Sequence, residues 1–143
     1  MKIKVDGFKA ALELLQGLDL AKQQELLAEM ARKDPEMVIK LKQKLVTFDD
    51  LKYLTGTMMS RLLKDIKPEV FGLALRGAEA ELGKHLLSLV SKNNQQDMLD
   101  VLNGKPKSLN DVLDAQKKIM DVVMKLRETG EIVLSKEKSE KMV

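Results

Sequence analysis

Apolar residues recur every three or four positions along nearly the whole chain, the spacing of helices that bury one face. Phe8, Ala11, Leu12 and Leu15 fall on one stripe and predict a first helix over Phe8 to Gln16, before Gly17 and Asp19 break the pattern. A second helix is expected over Leu20 to Arg32, with Leu26, Leu27 and Met30 inward and Lys22, Gln23 and Glu29 outward. In "KDPEM", Asp34 can accept from the free N–H groups of a helix start, and Pro35 suits the first helical position because its missing N–H costs nothing there. That third helix is expected to reach Leu45.

Past Leu45 the elements shorten. Thr47 and Asp50 in "TFDDL" have the spacing of a capping box, for a short helix ending near Leu54. Thr57 is the expected cap of a helix through Leu63, and Pro68 starts another that ends at Arg76–Gly77. A further helix is expected over Glu79 to Val90. Ser91 is placed to cap the next, which Gly104 and Pro106 end. Ser108 with Asp111 forms a second capping box for the longest element. Its expected stripe is Leu109, Val112, Leu113, Met120, Val123 and Met124, about 18 residues or roughly 27 Å of helix. Gly130 is its expected stop. "EIVLS" reads as a short extended piece packed back on the bundle, and "KEKSEKMV" as a charged, frayed tail.

The expected fold is therefore all-α and armadillo-like: short helices in a small N-terminal subdomain, then a C-terminal helical bundle. The expected boundaries are 6–45, 46–135 and a tail over 136–143. A faint echo between "GLDLAKQQELLAEMARKDPE" and "DIKPEVFGLALRGAEAELGKHLL" suggests stacked helical repeats. One or two such units cannot cover both of their faces. An apolar assembly face is therefore expected in the first 45 residues, made by Leu12, Leu15, Leu26, Leu27 and Met30, with possible self-association through residues 8–45.

Composition narrows the chemistry. Aromatic residues make up only 3% and Trp is absent, so Leu, Ile, Val, Met and Ala must build the core. No Cys and one His, His85, leave no thiol chemistry, no His-cluster metal site and no Ser-His triad with a spare base. His85 reads as a helix-surface or boundary residue. The eight glycines are scattered and form no phosphate-cradling loop. Asp49 and Asp50 are adjacent, so on a helix they diverge by about 100° and do not face each other; they read as carboxylates complementing a helix N-terminus. Asp97, Asp100 and Glu79 lack the loop a hard cation needs. The expectation is no enzyme and no cofactor.

Net charge is +3, but both signs are interspersed, and the basic residues thicken only at Lys40, Lys42, Lys44 and the tail. A nucleic-acid reader concentrates its cations in a stripe, so no nucleic-acid partner is expected. No apolar run approaches the ~18 residues of a membrane span, and "MKIKVDGFK" carries no secretory apolar region. The expected location is cytoplasmic.

Four pieces in order carry a resemblance: the F-x-D-L turn at Phe48, "ALRGAE" from Ala74, "VLDAQKKI" from Val112, and "GEIV" from Gly130. Together they resemble the C-terminal domain of the flagellar motor switch protein FliG. "GFKAALELLQGLDLAKQQELLAEMARKDPEMVIKLKQKL" is similar to the armadillo-like segment preceding that domain, so the resemblance runs from about Gly7 to Leu134.

The resemblance implies a helical rotor component, with switch and stator proteins as partners, at the cytoplasmic face of the flagellar basal body. It implies that a helix bearing both signs of charge faces the stator. Arg76 matches a basic position of that surface and Asp100 an acidic one, and Asp97 lies beside it. A second acidic position falls on Val101, and basic positions fall near Asn93 and Ser108, so charge is diluted on this face. The family's M-F-x-F joint aligns with Leu45, Val46, Thr47 and Phe48, which implies a hinge there. The family's N-terminal and middle domains have no counterpart in these 143 residues. The expectation is either a paralogue reduced to its C-terminal half or a fragment. A FliG-like scaffold or adaptor without a torque role is the alternative.

Overall fold

The computed structural model describes residues 3–134, and the expected tail over 136–143, with Ser135, lies outside them. Every regular element among the described residues is helical. The α-helices are α1 (Ile3–Gln16), α2 (Leu20–Lys33), α3 (Pro35–Lys44), α4 (Gly56–Leu62), α5 (Pro68–Ala74), α6 (Ala80–Ser88), α7 (Lys92–Leu102) and α8 (Leu109–Thr129). Two 3-10 turns, Phe48–Tyr53 and Leu75–Gly77, stand before α4 and after α5. The described chain divides between Thr47 and Phe48 into two compact units.

In the first unit α1, α2 and α3 pack on one another. Asp19 caps α2 by accepting from the Lys22 N–H at 2.9 Å, and Asp34 caps α3 through the Met37 N–H at 3.1 Å. Leu15, Leu27, Val38, Leu41 and Leu45 form the core, with Leu12, Leu26 and Met30 half-buried against it. Two of the residues expected on an assembly face, Leu15 and Leu27, lie in this core. Leu15 and Leu27 are 0% and 4% exposed, because α3 packs on both α1 and α2 and covers the stripe those two would leave bare. Among the described residues of this unit, the large apolar side chains left exposed are Leu14 and Ile39.

In the second unit α5 is the hub and packs on both α7 and α8. It crosses α7 closely: a Cβ at Gly72 would overlap the Met98 carbonyl oxygen and come within 3.0 Å of the Val101 Cβ. Gln116 is buried in α8 and donates from Nε2 to the Ala74 carbonyl at 3.0 Å, satisfying the end of α5. Ser91 and Ser108 cap α7 and α8, accepting from the Asn94 and Asp111 N–H groups at 3.3 and 3.1 Å.

Two expectations need correcting here. Thr55, not Thr57, caps α4, accepting from the Met58 N–H at 3.3 Å; Gly56 is the first helical residue rather than a breaker. The buried face of α8 is Val112, Ala115, Gln116, Ile119, Met120, Val123 and Leu126. Leu109, at the head of the expected stripe, is 69% exposed. Gly130 ends α8 at φ 84°, the left-handed conformation open to glycine. Beyond it Ile132 and Leu134 are buried without forming a strand.

Candidate interaction surface

The residues expected to face a partner gather on and around α7. Met98 is fully buried and turns one side of that helix toward α5. Asp97 and Asp100, three positions apart, lie on its exposed side. Asn93 and Gln96 are exposed too, and Gln96 donates to the Asp100 carboxylate at 2.7 Å. Gln95 turns inward and donates to the Leu87 carbonyl at the end of α6, at 3.0 Å.

Arg76, in the 3-10 turn after α5, is half-buried at the other end of α7. Its Nε and Nη2 both donate to the Val101 carbonyl, at 3.0 and 2.6 Å. The structure therefore brings Arg76 to the C-terminus of the helix that carries Asp97 and Asp100, where its guanidinium meets a backbone carbonyl. Beside it runs an open groove of about 520 Å³ lined by Leu75, Arg76, Glu79, Lys84, Leu87 and Leu102, among others.

The four joint positions divide in their surroundings. Leu45 and Val46 are buried, and Leu45 belongs to the first unit's core. The Gln16 side chain brackets Val46, donating to its carbonyl at 2.5 Å and accepting from its N–H at 3.0 Å. Thr47 and Phe48 are half-buried, and Phe48 opens the first 3-10 turn.

Sequence reasoning missed Gln23, expected outward but buried with Nε2 donating to the Leu15 carbonyl at 2.8 Å, and two further polar features. Asp50 is buried, and its carboxylate opposes the effect of burial on Arg127, whose guanidinium is held below its ordinary value mainly by desolvation. Asp49, by contrast, is exposed and pairs with Lys52 at 3.3 Å. The two carboxylates do diverge, and Asp50 is buried where Asp49 is exposed. The other feature is Gln116, an amide inside an apolar stripe, and no spacing rule marks which carbonyl it will meet. His85 is half-buried and bonds through Nε2 to the Leu54 carbonyl at 3.0 Å, which joins α6 to the segment after the first 3-10 turn. Among the described residues no group of His, Asp or Glu stands where it could hold a metal, and no helix is long and apolar enough to cross a membrane.

Short stacked helices in two units, with one helix offering an exposed polar face, define an all-helical domain of the armadillo-like kind. The family model of the FliG C-terminal domain matches residues 28–134. The chain belongs to that family. The chain is 28% identical over 141 residues to the flagellar motor switch protein FliG of Thermotoga maritima, covering 98% of this chain and 42% of that protein. It is 28% identical over 135 residues to the FliG of Bacillus subtilis, covering 91% of this chain and 39% of that protein. The structure of full-length FliG from Aquifex aeolicus superposes with a TM-score of 0.57 at 26% identity, over 89% of this chain and 40% of that one. The chain thus spans well under half the length of these relatives.

Proposed function

We propose that this chain serves as a switch or rotor component of the bacterial flagellar motor and acts by protein contact rather than catalysis. The observation that carries the reading is the family match over residues 28–134, joined to an α7 whose outer side displays Asp97 and Asp100. In this reading α7 faces a stator protein, with Arg76 at its C-terminal end. The first unit serves assembly, with Leu12, Leu26 and Met30 bordering a core that includes Leu15 and Leu27. Leu45, Val46, Thr47 and Phe48 form the joint between an armadillo-like segment over 6–45 and the C-terminal domain over 46–135. Exposed ion pairs contribute only about 0–1 kcal/mol each and are screened by salt, which suits contacts that form and release repeatedly.

The test is motility. Asp97→Lys with Asp100→Lys should abolish or sharply slow swimming while the circular dichroism of the purified chain stays unchanged. Swimming at wild-type speed would reject the reading. The alternative of a FliG-like scaffold or adaptor draws on Val101, Asn93 and Ser108 standing at positions that the resemblance makes charged. It is favoured if the reversed-charge chain swims normally yet still binds other motor proteins.

A further inference from the structure

We infer that Arg76 is a positioning residue for the α7 face: its guanidinium holds the C-terminus of α7 in place and so sets how Asp97 and Asp100 are presented. The inference rests on reading α7 as the working face.

The last four carbonyls of a helix have no intrahelical donor, and their partial negative charge favours a nearby cation. The last turn of α7 contains no basic residue. Arg76 supplies the cation from another element, with two N–H groups converging on Val101 O at 3.0 and 2.6 Å. The same carbonyl accepts from the Gly104 N–H at 3.2 Å, and Asn103 N–H bonds Leu99 O at 2.9 Å, so the chain turns away directly beneath the guanidinium. That turn is tight: a Cβ at Gly104 would lie 2.7 Å from Asp100 O and 3.6 Å from Arg76 Nη2. Arg76 is itself anchored on its C-terminal side, because a Cβ at Gly77 would come within 2.9 Å of Gln116 Nε2 and 3.0 Å of Val112 Cγ1. A fork of two planar donors on one acceptor is geometry that a lysine ammonium reproduces only in part.

The test compares Arg76→Lys, Arg76→Gln and Arg76→Glu in the full chain, with Asp100→Lys as the control. Two quantities are read: amide hydrogen exchange at Asn103 and Gly104, and swimming speed of cells carrying each variant. Exchange should rise in the order Lys, Gln, Glu, by about tenfold for Arg76→Gln, the size expected for loss of a charge-assisted hydrogen bond. Swimming should fall in that same order, with Arg76→Lys a partial rescue. Asp100→Lys should slow swimming without changing exchange. Unchanged exchange in Arg76→Glu overturns the inference. So does normal swimming in Arg76→Lys when its exchange is raised, since charge rather than placement would then be what matters. If exchange responds but no Arg76 or Asp100 variant alters swimming, the flagellar reading falls and Arg76 is left as a helix cap alone.

Discussion

The Gln16 amide closes on Val46 from both sides, giving its N–H to the carbonyl and taking the backbone N–H, at 2.5 and 3.0 Å. It engages both backbone groups of one residue, as a neighbouring strand would. The last residue of α1 thereby secures the exit of the chain from the first unit. Replacing it should matter more than its place at a helix end suggests. Gln16→Ala is expected to lower the stability of the first unit by about 1–3 kcal/mol, because it leaves a donor and an acceptor on Val46 without their protein partner. Gln16→Glu keeps the acceptor but loses the donor, and should fall between. Urea unfolding of the three chains checks the order.

Two helical glycines invite opposite outcomes. Gly72 sits where α5 crosses α7, against the Met98 carbonyl. Backbone cannot rotate aside, so Gly72→Ala should cost the upper part of the roughly 1–3 kcal/mol range of overpacking. Gly83 lies inside α6, and an added Cβ there meets nothing within 4 Å. Gly83→Ala should therefore stabilise by roughly 0.5–1 kcal/mol, the helical advantage of alanine. Thermal melts of both variants would show shifts of opposite sign.

Gln116 is 8% exposed and gives its amide N–H to Ala74 O. Gln116→Leu fits the surrounding stripe but strands that carbonyl at the end of α5, at an expected cost of about 1–3 kcal/mol. The amide exchange of the 3-10 turn Leu75–Gly77 should rise with it. A variant as stable as the parent would show that the Ala74 carbonyl finds another donor.

Arg61 joins α4 to the segment after α8, with Nε 2.9 Å from the Glu131 carboxylate and Nη1 3.0 Å from Asp65. The Arg61 bond, with a second from Thr129, holds the Glu131 carboxyl below its ordinary 4.5. A depressed carboxyl contributes stability that is present above its unfolded value and lost as pH falls through its folded value. The melting temperature of the parent should therefore exceed that of Glu131→Gln at pH 7. The gap should close as the pH drops below about 4, where an ordinary glutamate protonates. Because the pair is exposed, high salt at pH 7 should narrow the gap as well.

Helix starts were the most legible feature, because a capping oxygen and its N–H lie three residues apart in one segment. Asp34, Ser91 and Ser108 could be read directly. Thr55 could not, because Gly56 looks like a breaker and Thr57 offers a hydroxyl of equal quality. The all-helical class followed from the 3.6-residue period. What that period could not give was the partner of each stripe. Leu109 continues the apolar pattern of α8 past the packed region and ends exposed, while Leu15 and Leu27, expected to stay free, are enclosed by α3. At the candidate surface, Asp97 and Asp100 were readable as exposed charges on one helix side. The carbonyl that Arg76 would meet was not, since the two residues stand twenty-five positions apart. Asp50 was missed for the same reason, since the Arg127 charge it faces comes from α8.

The crossing at Gly72 has a mechanical meaning. At Gly72 no side chain separates α5 from the Met98 carbonyl of α7, and α5 is seated in turn on α8. In the proposed reading, a push on the outer side of α7 meets backbone at that crossing, with the long helix α8 directly behind.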